Sequence, residues 1–67
     1  MHFGDNVRAA REKQGITQCE LSQAVGVKQA TFAQYETGAK APTVYVAVKI
    51  AKILHTTVEA LATGSTN

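Results

Sequence analysis

Gly26, Val27 and Lys28 are all that separate two segments with helical apolar spacing, and this short turn limits the possible folds more than any other feature of the chain. Upstream, Leu21, Ala24 and Val25 fall on one side of a helix; downstream, Phe32 and Tyr35 do the same. A turn of three or four residues containing glycine cannot return the second helix antiparallel to the first, so the two must cross steeply. Both ends of the unit are punctuated. Thr17-Gln18-Cys19-Glu20 has the pattern of a capping box, in which hydroxyl and carboxylate each satisfy a free backbone N–H. Gly26 and then Thr37-Gly38 are suited to left-handed helix exits.

The flanking sequence extends the helical pattern. A first helix is predicted from about Asp5 to Lys13, burying Val7 and Ala10 with Phe3 over its start, and Gly15 ends it. Pro42 presets the first turn of a fourth helix from about Thr43 to Leu54, with Val44, Ala47, Val48, Ala51 and Leu54 on one stripe. His55 stands where a left-handed exit is expected, and Thr57 caps a last short helix that ends near Ala62 and buries Val58 and Leu61. No Asn-Gly or Asp-Gly turn joins alternating segments. The predicted fold is therefore all-α: a compact bundle of five helices in one domain over 1–67, with the crossed pair at about 17–37 and a polar, frayed tail at 63–67.

Composition narrows the function. The chain has 67 residues, 45% apolar and 18% charged, which describes a small globular domain held by packing alone. Its lone cysteine, Cys19, permits no intramolecular disulfide, as in a reducing cytoplasm. The longest apolar stretch, Val44 to Leu54, is broken by Lys49 and Lys52, so no membrane association is expected and the reading is of a soluble cytoplasmic protein. Seven Lys and Arg against five Asp and Glu give a net charge of +2, a mild preference for polyanions that depends on where the cations lie. Catalysis lacks candidates: Asp5 is the only aspartate, and neither serine has a positioned histidine. His2, Cys19 and His55 lack the ligand spacing of a zinc site, so no metal, cofactor or small-molecule ligand is expected.

Chemistry concentrates in Lys28 to Glu36. With Phe32, Tyr35 and Glu36 turned inward, Ala30, Thr31 and Gln34 point outward, while Lys28 and Gln29 project from the helix N-terminus. Glutamine pairs bidentately with adenine, Thr and Ala methyls meet the thymine methyl, and lysine reaches guanine or a phosphate. Small Ala30 and Ala33 let such a helix lie deep in a major groove. Gln18, at the positive end of the second helix, and Lys40, in the loop before Pro42, are phosphate-binding candidates. Solvated helix surface is the plainer reading of the glutamines, but their place inside a complete helix-turn-helix pattern favours DNA contact.

Several short motifs share one spacing: Phe3-Gly4, Val7-Arg8, Arg11, Thr17-Gln18, Glu20-Leu21, Gly26-Val27, Thr31-Phe32, Tyr35-Glu36, Gly38, Pro42, Ile50-Ala51 and Leu54. Together they resemble the Xre family of Cro and C1-type phage repressors. The resemblance implies a lambda-repressor-like domain of a bacterial or phage-encoded transcriptional regulator, a repressor that binds a palindromic double-stranded DNA operator as a homodimer with its third helix in the major groove. It also implies a structural ion pair between Arg11 and Glu36, and the inward position of Glu36 independently demands a partner. Three positions depart from the pattern. Ser22 replaces a usual alanine, its hydroxyl able to bond back to the Gln18 carbonyl; Ala47 replaces a usual leucine, leaving a gap unless Phe32 or Tyr45 fills it; His55 replaces a usual glycine. Tyr45, Val46 and Ile53 widen the apolar surface of the fourth helix and, with Val58 and Leu61, are either core or a dimer interface. The competing function is a protein-interaction module, such as an antitoxin or anti-repressor, on the same fold.

Overall fold

Five helices make up the protein in a computed structural model that describes Phe3–Gly64: α1 (Phe3–Lys13), α2 (Gln18–Val25), α3 (Gln29–Thr37), α4 (Val44–Ile53) and α5 (Val58–Thr63). The fold is all-α, as the sequence predicts, with no strand among the described residues. His2 and positions 65–67 of the predicted tail lie outside the described residues; Thr63 closes α5 and Gly64 is its left-handed cap. No helix among the described residues is long and apolar enough to cross a membrane.

Helix boundaries follow local chemistry. Thr17 Oγ1 accepts from Glu20 N at 3.0 Å, and Glu20 Oε1 accepts from Thr17 N at 2.9 Å, completing the capping box. The Thr17 backbone N–H, and secondarily its hydroxyl, hold the exposed Glu20 carboxyl below the usual carboxylate range. Thr43 and Thr57 cap α4 and α5 in the same way, accepting from Val46 N and Ala60 N. Pro42 does not enter the first turn of α4; it precedes the cap, because Thr43 takes the N-cap position.

The core is one cluster of Val7, Leu21, Val25, Phe32, Tyr35, Ile50, Ala51, Leu54 and Leu61, with Phe3, Ala10, Val46, Ile53 and Val58 half-buried around it. α1 packs against α3 and α5, and α2 against α3 and α4. Two predicted faces are rotated. On α4 the buried edge is Ala47, Ile50, Ala51 and Leu54, whereas Val44 is 80% and Val48 37% exposed. The observed edge lies about 50° around the helix from the predicted stripe, taking 100° per residue. On α2 Ser22 is buried and Ala24 exposed. Burial of the serine is tolerated because its hydroxyl donates to the Cys19 carbonyl at 2.9 Å, one residue nearer than the Gln18 carbonyl expected for it.

Polar side chains lock α1 to the far helices. Buried Asn6 Nδ2 donates to the Leu61 carbonyl of α5, and Gln14 Nε2 donates to the Leu54 carbonyl at 2.6 Å. His55 takes up the left-handed exit of α4 with φ 58°, the only positive φ at a non-glycine residue among those described. A left-handed backbone costs an ordinary residue about 1–2 kcal/mol, and glycine returns about 0.5–1 kcal/mol of that as lost entropy. His55→Gly is therefore expected to raise stability by up to about 1 kcal/mol, or roughly 4–8 °C in Tm for a domain this size. Thermal denaturation checks this, and a lower Tm would contradict the strain.

Candidate nucleic-acid interface

α2, the turn at Gly26–Lys28, and α3 form the helix-turn-helix. Gly26, at φ 90°, ends α2 as a left-handed cap and donates its N–H to the Ser22 carbonyl at 2.9 Å; the Val27 N–H reaches the same carbonyl at 3.0 Å. This pair of bonds reverses the chain within the turn and aims α3 across α2. Lys28, the N-cap of α3, supplies no side-chain cap, so the first-turn N–H groups and their partial positive charge are open at this end.

The two edges of α3 are sharply divided. Phe32 is wholly buried, and Tyr35 and Glu36 are buried beside it, with the Phe32 and Tyr35 rings edge to face at 6.3 Å between centroids. On the other edge Lys28, Gln29, Ala30 and Gln34 are exposed, and Thr31 and Ala33 half-buried. Among the described residues the side chains of Lys28, Gln29 and Gln34 bond no other protein group. α3 has one acidic residue, Glu36, and it faces inward, so the outer edge carries no negative charge.

Glu36 is the point at which three elements meet. Arg11 of α1 donates from Nε to Glu36 Oε2 at 2.7 Å and from Nη2 to Oε1 at 3.2 Å, a bidentate pair whose carboxylate is 2% exposed. Its remaining Nη1 donates to the Ile16 carbonyl at 2.8 Å, just before α2. The hydrogen bond that Arg11 donates to Glu36 raises the Arg11 pKa above its ordinary value despite burial. Gln18 then donates from Nε2 to Glu36 Oε1 at 2.9 Å, tying the first turn of α2 to the last turn of α3. Gln18 is thus half-buried and held within the protein, with its second amide N–H remaining for an outside acceptor.

The remaining site residues spread over the surface. Lys40 is exposed in the loop after α3, its backbone N–H bonded to the Gln34 carbonyl at 3.2 Å and its amine without a partner among the described residues. Arg8 is paired with Glu12 at 3.3 Å, and the Lys49 amine lies 5.3 Å from the Tyr45 ring centre. Of the dimer candidates, Leu61 is 2% exposed and belongs to the core, where α5 closes on α1 and α4. Val46, Ile53 and Val58 are half-buried against the core, and Tyr45 is 72% exposed. Tyr45 therefore does not fill the space beside Ala47. That space is an open groove of about 330 Å³ bordered by Phe3, Tyr35, Pro42, Val44 and Val58.

Sequence reasoning missed Gly4 and Asn6. Gly4 is buried where α1 crosses the end of α3: a Cβ there would overlap the Tyr35 carbonyl oxygen and lie 2.5 Å from that of Glu36. A lone glycine or asparagine in a helical segment carries no periodic signal, so only the packing reveals these contacts.

Residues 7–61 match the Helix-turn-helix family. An uncharacterized HTH-type transcriptional regulator of Archaeoglobus fulgidus is 38% identical over 55 residues, spanning 82% of this chain and 79% of the relative. The P22 c2 repressor, solved in complex with a synthetic operator, superposes with a TM-score of 0.90 at 28% identity, covering 97% of this chain and 98% of that one. The N-terminal DNA-binding domain of SinR from Bacillus subtilis shares the fold, with a TM-score of 0.81 at 22% identity over 88% of this chain and 87% of its own. The chain belongs to the Helix-turn-helix family, in its Xre/Cro/C1-like branch, a family and fold of DNA-binding regulators.

Proposed function

We propose that the protein is a transcriptional repressor that binds a palindromic double-stranded DNA operator as a homodimer, with α3 in the major groove. The observation that carries this reading is the division of α3: an inner edge locked by Phe32, Tyr35 and Glu36, and an outer edge of Lys28, Gln29 and Gln34, whose side chains bond no other group among the described residues. Similarity to the P22 c2 repressor, solved with an operator, supports it. Gln29 and Gln34 pair with adenine edges, the Ala30 and Thr31 methyls meet thymine, and Lys28 reaches guanine or the adjoining phosphate. Lys40 and the second amide N–H of Gln18 hold phosphates on either side, which sets the register of α3 in the groove. The whole chain acts as one domain.

Selection from random duplex DNA is expected to return a two-fold motif with half-sites about one helical turn, roughly 10 bp, apart. Failure to enrich any motif would sink the proposal. Gln34→Ala is expected to cost about 1–3 kcal/mol of binding and to relax preference at one base position, whereas Lys40→Ala weakens all sequences alike and lowers the salt slope by about 1. Titrations against single-base operator variants at two salt concentrations separate these outcomes.

A further inference from the structure

Another cavity, of about 560 Å³, opens where α1, the exit of α4 and α5 come together, and none of its lining residues belongs to the helix-turn-helix. Ala9 and Ala10 of α1 and Ala60 and Leu61 of α5 give it apolar walls, and a few polar side chains interrupt them. A space of this size, mostly apolar with a small number of polar groups, has the form of a small-molecule site. No motif in the chain signals it, because its walls are brought together only when three separate helices pack.

The polar groups favour an anion. Lys13, His55 and Thr56 line the cavity and no acidic residue does. Their side chains bond no other group among the described residues. The C-terminal ends of α1 and α4 lie beside them, and bare carbonyls there would repel negative charge. Three of those carbonyls are already engaged: Leu54 accepts from Gln14 Nε2 at 2.6 Å, Lys52 from His55 N at 3.2 Å and Ala51 from Thr56 N at 2.9 Å. The side-chain groups left over are the Lys13 ammonium, the Thr56 hydroxyl and the His55 imidazole, all of them donors that suit a carboxylate. His55 adds a second observation. The other positive-φ positions, Gly15, Gly26, Gly38 and Gly64, are all glycine, whereas at φ 58° the chain keeps a histidine. The side chain retained at the cost of that strain is one that lines the cavity, and such strain recurs where a residue clamps a ligand.

We propose that this cavity binds a small organic carboxylate with an apolar body, its charge taken by Lys13, His55 and Thr56 and its body by the alanines of α1 and α5.

Titration of the isotope-labelled full chain with phenylacetate, hydrocinnamate and indoleacetate, followed by amide chemical shifts near neutral pH where these acids are ionised, tests the site. At least one probe is expected to saturate with a Kd of about 1 mM or below, moving the amides of Lys13, His55, Thr56 and Ala60 while those of Gln29 to Gln34 stay in place. The neutral amide of that probe should bind at least about threefold more weakly, the order of a solvent-exposed ion pair. Acetate, which lacks the apolar body, should not saturate below about 10 mM. Lys13→Gln is expected to weaken the best probe at least about threefold. His55→Gly should weaken it as well although its thermal midpoint rises, so lost binding is not lost folding. Lys52→Gln removes an exposed charge outside the cavity and should bind as the wild type does. The proposal is overturned if no probe saturates up to about 10 mM, if acid and amide bind alike, if acetate binds as well as the larger acids, or if either cavity variant keeps wild-type affinity. Weakening by Lys52→Gln as large as that by Lys13→Gln would mark attraction to overall charge and overturns it too.

Discussion

Arg11→Ala is expected to destabilise the fold by about 3–5 kcal/mol, the cost of leaving a buried carboxylate without its ion partner. A chain of this length typically has only about 3–10 kcal/mol in total. The variant should therefore lose tens of degrees in Tm, at roughly 4–8 °C per kcal/mol, or show no folded baseline by circular dichroism. The guanidinium supplies two bonds to Glu36 and one to the Ile16 carbonyl, all of which vanish together. Arg11→Lys should rescue little, because an ammonium cannot reproduce the planar fork. The double change Arg11→Met with Glu36→Leu should recover most of the loss, since the penalty belongs to the stranded charge rather than to the absence of a pair. A single variant melting within a few degrees of wild type would refute this account of the site. If the double variant folds but discriminates operators poorly, Glu36 acts in recognition by fixing the angle of α3 through Arg11 and Gln18.

Gly4→Ala should also destabilise, against the usual sign for a helix. At an ordinary helical position the change from glycine to alanine stabilises by about 1 kcal/mol. At Gly4 the new methyl meets the carbonyl oxygens of Tyr35 and Glu36, backbone atoms that cannot swing aside as a flexible side chain can. The loss expected is about 3 kcal/mol, the upper end of the usual cost of overpacking. Relief requires α1 to lift from the end of α3, which also moves Arg11 away from Glu36. Urea denaturation reads the sign directly, and a more stable variant would show that α1 and α3 are not in close contact there.

The helix termini were legible in the chain because capping is local chemistry. Thr17 and Glu20 satisfy each other's backbone N–H groups across three residues, and Gly26 and Gly38 accept the left-handed backbone wherever the rest of the protein lies. The exposed edge of α3 was legible for a related reason: Phe32 and Tyr35 are large and apolar, so their burial leaves Gln29, Ala30 and Gln34 facing out. α4 shows where this fails. Val44, Tyr45, Val46, Val48, Ile50 and Ile53 surround its axis, so periodicity identified a helix without selecting which edge the core would take. Leu61 of α5, which the sequence leaves open as core or interface, is core.

Local sequence thus determined five helices, the short turn crossing α2 over α3, and the identity of the side chains on the outer edge of α3. Tertiary structure alone decided the rotation of α4, the groove left by Ala47, the glycine contact between α1 and α3, and the capture of Gln18 by Glu36. The physical reason is range. Caps, turns and helical periodicity act between residues a few positions apart, whereas Gly4 meets Tyr35 and Glu36, and Asn6 meets Leu61, only after every helix has been packed.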